Sequence, residues 1–343
     1  MVEEIHRTVT SNSIISLLEK AIEARASLFD VRHESAFRLF NGFTEGERSL
    51  AIDLYASTLV IHNYADDPAH GNALVEGASQ FLQDKLVWLR AGIVKTRNAT
   101  TPEEKRGHLI FGEKPDTKIK EHGIWYSIDL TMHRDTSFYL DTRNLREWLI
   151  ENIRGKTVLN TFAYTGSLGV AALAGGAKHV VQHDLNRQFL NVARTSYTLN
   201  GFPICKQDFI AADFFTLVSK FKRTNETFDC VIIDPPFFST TAKGKVDQVN
   251  ESARLINKVR PLINDDGTLI AINNALYVSG KEYMQTMQEL CKDGYLRIKE
   301  LIPIPEDFTG YPETCIGTPI TDPSPFNHST KITVLEVRRK KLS

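Results

Sequence analysis

Thr157-Val158-Leu159-Asn160-Thr161 runs without a break into Phe162-Ala163-Tyr164-Thr165-Gly166-Ser167-Leu168-Gly169, and a helical run of Ala and Leu follows. A short apolar stretch, a turn of small residues and then a helix is the repeating unit of parallel sheets. Gly166 and Gly169 let the backbone approach a ligand closely, and the helix N-terminus offers free amide donors. The spacing is not GxGxxG, so the dinucleotide fingerprint is degenerate here. A tight strand–helix turn without a ligand is the alternative.

Outward from this stretch the alternation repeats. After a helix over Arg143–Ile153, strands are expected at Thr157–Phe162, His179–His183, Cys205–Phe209, Phe228–Asp234 and Thr268–Asn273, each followed by a helix. Leu296–Pro303 and Ile332–Val337 close the series. The pattern predicts an α/β fold, a parallel sheet with helices on both faces whose ligand sits at the carboxyl ends of the strands. Just upstream, Ile124–Leu130 and Ser137–Leu140 read as two strands joined by His133–Thr136. Before about residue 121 the texture differs. An amphipathic helix covers the first thirty or so residues, and β-type stretches follow at Ala36–Phe40, Leu50–Tyr55 and Thr58–His62. A helix is expected over Ala73–Ala91 and a loop over Asn98–Arg106. The expected domains are residues 1–120, a helix with a small α+β domain, and 121–343.

The strand ends hold the candidate residues. The second strand ends in His183-Asp184, where a carboxylate can accept from both hydroxyls of a ribose; a helix cap is compatible with that role. After the third comes Ala212-Asp213-Phe214-Phe215. Asp213 can accept from an adenine amine with Phe214 beside the ring, or simply cap the next helix. The fourth strand leads into Asp234-Pro235-Pro236-Phe237-Phe238. Two prolines donate no backbone hydrogen bond and fix φ, so this turn is rigid. Its carbonyls can hold a flat base by its amino edge while an aromatic ring stacks on the face. The fifth strand ends in Asn273-Asn274, amides that need partners if buried, as contacts to a base or as bridges between loops.

Composition narrows the function classes. Hydrophobic residues make up 42% and charged residues 24% of the 343, which excludes a disordered chain. Lys plus Arg number 41 and Asp plus Glu 42. The counts are 15 and 17 in residues 1–120 and 26 and 25 beyond, so neither half is a basic domain. Any nucleic acid must be held locally, for example by a basic lip of Lys243, Lys245, Arg254, Lys258 and Arg260. Four scattered cysteines with no CxxC pair suggest neither zinc nor redox chemistry and fit a reducing compartment. No signal peptide or membrane span is read, so a cytoplasmic protein is expected.

In this order the motifs resemble the class I S-adenosylmethionine-dependent methyltransferases. More narrowly they resemble the 23S ribosomal RNA large-subunit methyltransferases of the RlmI and RlmK type. The likeness rests on Asp135–Arg143, Phe162–Gly166 and Asp234–Phe237, and Phe37–His62 looks like the small α/β domain that precedes the family's catalytic domain. It implies a Rossmann-like, seven-stranded, mostly parallel sheet plus a small N-terminal α+β domain, with S-adenosylmethionine as cofactor and RNA as substrate. Carried over, Phe162, Ala163, Tyr164, Thr165 and Gly166, with Asn160, line the methionine and ribose part of the cofactor. Asp184 binds the ribose, Asp213 and Phe214 the adenine, and Arg143 the cofactor or its loop. Asp234, Pro235, Pro236 and Phe237 form the wall between methyl donor and target, and Asn273 joins them as a catalytic candidate.

Two departures from the family stand out. Its PUA-type domain is not found at the start of this sequence. The cytosine-5 branch has a nucleophilic cysteine at the end of strand five, where this chain has Asn273 and Asn274. Carbon five of cytosine needs a thiolate to add to the ring before methylation. Cys230 lies inside strand four and Cys205 opens strand three, leaving Cys315 as a remote candidate. The expectation is therefore direct transfer to a base nitrogen in ribosomal or other structured RNA, and the asparagine pair resembles the family's branch that methylates guanine, which implies guanine as the favoured base. A protein or small-molecule substrate and a non-catalytic nucleoside-binding module are the alternatives. The oligomeric state stays open, a homodimer included. Pro303–Pro325 reads as a lid or a surface excursion.

Overall fold

The computed structural model describes the backbone of residues 11–339 and the side chains of residues 13–339, and they fall into two units. The first comprises the residues up to Glu121 with Ile128–Leu140 and Glu306–Thr318; the second comprises His122–Ser127, Asp141–Pro305 and the residues from Pro319.

In the first unit β1 (Ala36–Asn41), β2 (Leu50–Tyr55), β3 (Thr58–Asn63), β4 (Ala91–Thr96) and β5 (His108–Phe111) form one sheet in chain order. All pairings are antiparallel except β3 with β4, which α3 (Pro68–Lys85) connects. The helix expected near the start is α1 (Ser11–Ala24); residues 1–10 of that expectation lie outside the described ones. Ile14, Leu18 and Ala21 of α1 and Leu74, Ala78 and Leu82 of α3 join Phe37, Leu50, Ile52, Leu59 and Ile61 in one core. Short helices α2 (Gly42–Glu45) and α4 (Pro102–Arg106) and the strand β6 (Lys118–Glu121) complete the unit.

Three expectations fail here for physical reasons. The loop over Asn98–Arg106 ends in the helix α4, because Thr101 caps it through Glu104 N and Pro102 suits its first turn. The helix over Ala73–Ala91 ends at Lys85, because Leu86, Trp88 and Leu89 prolong the apolar spacing through what is a turn. Ala91 instead opens β4, a strand the sequence reading passes over. Ser137–Leu140 is not a strand: its neighbourhood satisfies its polar groups through side chains. The Tyr55 hydroxyl donates to Phe138 O at 2.9 Å, and Ser137 Oγ accepts from Asp129 N at 2.6 Å. Residues 306–318 of the proline-rich segment are hydrogen-bonded into the first unit. Arg38 N donates to Asp307 Oδ2 at 2.9 Å, Asn41 Nδ2 to Phe308 O at 2.6 Å and Ile316 N to Thr44 O at 2.8 Å.

Arg25 ties this unit together. Fully buried, it forks onto Glu45 at 2.9 and 3.0 Å and also donates to Arg38 O at 2.6 Å and Asp307 O at 3.1 Å. A buried charge is tolerated only with such a full set of partners.

In the second unit β7 (Ile124–Ser127) and α5 (Arg143–Asn152) precede the strict alternation. It runs β8 (Thr157–Thr161), α6 (Ser167–Ala174), β9 (His179–Asp184), α7 (Arg187–Leu199), β10 (Phe209–Ala211), α8 (Phe214–Thr224) and β11 (Phe228–Ile233). A two-stranded hairpin, β12 (Phe238–Thr241) and β13 (Gly244–Asp247), interrupts it before α9 (Ser252–Val259), β14 (Ile263–Asn273), α10 (Gly280–Cys291), β15 (Leu296–Ile302) and β16 (Lys331–Val337). The seven-stranded sheet has the order β10-β9-β8-β11-β14-β16-β15, parallel except for β16. The order reverses between β8 and β11, which is where a ligand crevice forms in open α/β sheets. Leu217, Val218, Phe221, Leu255, Ile256 and Met287 of α8, α9 and α10 cover one face in a single core with Leu159, Val231, Ile233 and Leu269. The strand expected over Cys205–Phe209 is shorter and later. Lys206–Asp208 form a 3₁₀ turn, and Asp208 binds His179 at 2.9 Å.

Replacing Arg25 by Ala leaves Glu45 buried and unpaired, so a loss of about 3–5 kcal/mol is expected in chemical denaturation. Removing both partners should cost less than the sum of the single losses.

Candidate active site

The loop after β8 is shaped by residues in the left-handed region: Phe162 at φ 54°, Tyr164 at 51° and Gly166 at 75°. For Phe and Tyr this conformation costs on the order of 1–3 kcal/mol each and persists only where neighbours over-determine it. Those neighbours come from β9. Ala163 N donates to His183 O at 2.8 Å and Tyr164 N to Asp184 Oδ2 at 2.9 Å. Asp184 Oδ1 accepts from Asn186 N at 2.8 Å, and Asn186 rather than Asp184 caps α7. Burial raises the Asp184 carboxyl above its ordinary value despite these donors. Beneath the loop Gln182 fills the space beside Gly169, where a Cβ would lie 2.1 Å from Nε2. Asn160, buried in β8, donates to Gln182 Oε1 at 2.8 Å, while its own Oδ1 is buried without a hydrogen-bond partner. Arg143 is half-buried at the start of α5.

The third strand end joins the same place. Phe162 and Phe214 stack at 4.7 Å between ring centroids. His183 Nε2 binds Ala212 O at 2.9 Å, and burial pushes the imidazole down to about 4, so it is neutral and donates. Asp213 caps α8 through Thr216 N at 3.1 Å and also accepts from Thr241 Oγ of the hairpin at 2.6 Å.

The loop after β11 is held by a residue that the sequence reading did not single out. Gln248 is 1% exposed. Its Nε2 donates to Pro235 O, its Oε1 accepts from Asn274 N at 2.8 Å, and its N donates to Phe237 O at 3.1 Å. The Pro235 carbonyl, expected to face a base, is thus already engaged. Asn273 Nδ2 donates to Gln248 O at 3.1 Å and Ser252 Oγ at 3.0 Å, and its Oδ1 accepts from Ala275 N at 3.0 Å. Pro236 is exposed, as are Phe237 at 49% and Phe238 at 55%.

Residues 98–308 match the family model described as S-adenosylmethionine-dependent methyltransferase. The chain belongs to that family. YwbD of Bacillus subtilis is 29% identical over 90% of this chain and 79% of its own length. Ribosomal RNA large subunit methyltransferase I of Aeromonas salmonicida is 33% identical over 68% of this chain, which spans 59% of that protein. Among solved structures, SMU.776 complexed with SAH superposes with a TM-score of 0.82, at 22% identity, over 95% of this chain and 82% of its own.

The methyltransferase uses S-adenosylmethionine as its cofactor, and the strand ends fit that group. Asp184 accepts from the backbone amides of Tyr164, Asn186 and Leu185, and a carboxylate has room for a further donor such as a ribose hydroxyl. Beside it Leu185, just past the carboxyl end of β9, is 64% exposed, an apolar surface that sequence periodicity alone does not flag. The unsatisfied Asn160 Oδ1 is an acceptor suited to an ammonium.

Asp234 is the other electrostatic centre. Burial, and then the nearby Asp141 carboxylate, push its carboxyl up to about 7. Asp141 is anchored by the Thr330 hydroxyl at 3.0 Å. The basic lip is largely neutralised: Lys245 pairs with Asp247 at 2.7 Å, Arg254 with Glu251 at 2.5 Å and Arg260 with Asp293 at 3.1 Å.

A carboxyl raised in the folded state favours folding most at low pH, and that contribution is lost as the pH climbs from about 4 through about 7. Thermal unfolding of Asp234→Asn should therefore lose less stability than wild type between pH 5 and pH 8, by on the order of a few kcal/mol. Parallel curves would show that Asp234 is an ordinary carboxylate.

Proposed function

We propose that this methyltransferase modifies a base of structured RNA, ribosomal RNA first, by direct transfer to a nitrogen, with guanine as the favoured base. The observation that carries the reading is what stands at the end of β14. Asn273 is there, with its amide committed to Gln248, Ser252 and Ala275. Carbon five of cytosine requires a thiolate. Cys230 is buried inside β11, with its thiol pushed up to about 12 by burial; Cys291 at the end of α10 is also raised; Cys315 belongs to the first unit. A relative of this chain carries the name ribosomal RNA large subunit methyltransferase I, which supports the RNA substrate.

S-adenosylmethionine supplies a methyl group on a sulfonium sulfur, an electrophile that needs only a correctly placed lone pair. In this reading Phe162–Gly166, Asp184, Leu185, Asp213 and Phe214 hold it, with Arg143 and Asn160 supporting the loop. Phe237 stacks on the target base and Pro235 and Pro236 set the distance of the ring from the sheet. Asp234 orients a base amino group and, near neutrality, can take its proton. For a ring nitrogen with its own lone pair, positioning and exclusion of water are the whole contribution.

Labelled methyl transfer to RNA from a strain lacking the gene should yield a methylated guanine nucleoside after digestion. Appearance of 5-methylcytidine alone would overturn direct transfer. Calorimetric titration of S-adenosylhomocysteine into Asp184→Asn, which keeps an acceptor for Tyr164 N, should show about tenfold weaker binding or more. An affinity within twofold of wild type would remove Asp184 from the site. The paired lysine and arginines of the lip favour a second reading, a protein or small-molecule substrate. RNA binding that falls steeply with salt would exclude it.

A further inference from the structure

The hairpin between β11 and α9 ends on a residue that joins two strand ends. Gln248 follows β13 directly, and its side-chain amide spans from the Pro235 carbonyl after β11 to the Asn274 amide after β14. Its backbone adds a donation to Phe237 O at 3.1 Å and accepts from Asn273 Nδ2 at 3.1 Å and Ser252 Oγ at 2.5 Å. Both loops need such a partner. Pro235 and Pro236 have no N–H, so the middle of this turn can be fixed only through backbone carbonyls. Asn274 lies one residue beyond the ladder of β14, where no strand supplies an acceptor for its amide.

We propose that Gln248 is a positioning residue for methyl transfer: it sets the spacing between the Asp234–Phe237 loop and the Asn273–Ala275 loop, and with it the pose of the target base. This rests on the reading that the base is held at Asp234–Phe237. Amide polarity makes the role specific. The donor end must meet a carbonyl and the acceptor end an N–H, so a carboxylate would turn the Pro235 contact repulsive, whereas a thioether would fill the volume with no bond at all. The far end of the hairpin is also fixed, since Thr241 donates to Asp213 at 2.6 Å, so the backbone that carries Gln248 is held at its tip as well as at its base.

Displacing reacting groups by about 1 Å costs on the order of 10²-fold in rate. The test compares Gln248→Glu and Gln248→Met with wild type by two independent measurements. The first is hydrogen–deuterium exchange without substrate. Exchange around Phe237 should rise at least tenfold in both variants, and exchange at Asn274 at least tenfold in Gln248→Met, since a Glu keeps an acceptor for that amide, with the loop Phe162–Gly166 and the thermal midpoint little changed. The second is single-turnover methyl transfer to RNA from a strain lacking the gene. The rate should fall about 10–100-fold, while S-adenosylhomocysteine binding stays within twofold. Unchanged exchange around Phe237 in both variants, or at Asn274 in Gln248→Met, would overturn the proposal whatever the substrate, as would a transfer rate within twofold of wild type. A parallel loss of S-adenosylhomocysteine binding would overturn it too, by making the effect a general loosening of the fold. If wild type itself transfers no methyl group to RNA, the RNA reading fails, and the exchange data alone decide the role of Gln248.

Discussion

The ladder of β8, β11 and β14 carries everything at the candidate site. Cys230, Val231, Ile232 and Ile233 pair on one side with Val158–Thr161 and on the other with Thr268–Ala271, all parallel and all in the buried middle of the sheet. Parallel strands in register bring their carboxyl ends to one edge. The reactive loops Phe162–Gly166, Asp234–Phe237 and Asn273–Ala275 emerge there together. Apolar burial on both faces holds that edge still, which is what transfer between two bound groups requires.

Where the ladder stops, backbone groups lose their partners and side chains replace them. Asp184 receives Tyr164 N, Gln182 receives Asn160 and supports Gly166, and Gln248 bridges Pro235 and Asn274. Each is a polar group that bonds to a loop inside the protein, so each loop is tied to its neighbours by side chains where the ladder ends. The left-handed Phe162 and Tyr164 are the conformational cost of that shape. Charge is handled with the same economy. Burial and the neighbouring Asp141 raise Asp234 to about 7, and the first unit satisfies its buried Arg25 through Glu45 and the backbone carbonyls of Ala21, Arg38 and Asp307.

Much of the fold is legible in the chain because it depends on periodicities that local sequence obeys. The apolar runs at Val158–Leu159, Val180–Val181, Val231–Ile233 and Leu269–Ile272 mark strands, and the Ala- and Leu-bearing stretches between them mark helices. The errors fall where no periodicity operates. Leu86–Leu89 looks helical and is a turn, β4 is hidden behind it, and Ser137–Leu140 looks extended but answers to Tyr55 and Asp129. Gln248 has no sequence signature, since a lone amide in a polar loop resembles any solvated side chain.

The sequence by itself determined the alternation of strands and helices in the large sheet and the identity of the residues at each of its strand ends, because hydrophobic spacing and proline chemistry act over a few neighbours. The tertiary structure alone decided which of those residues meet. It committed the Pro235 carbonyl to Gln248, moved residues 306–318 into the first unit, neutralised the basic lip and raised Asp234 to about 7. The lip is paired largely by sequence neighbours, Asp247 and Glu251, but the other three depend on groups farther along the chain, and burial and Coulomb interaction are set by distance in space rather than along the backbone.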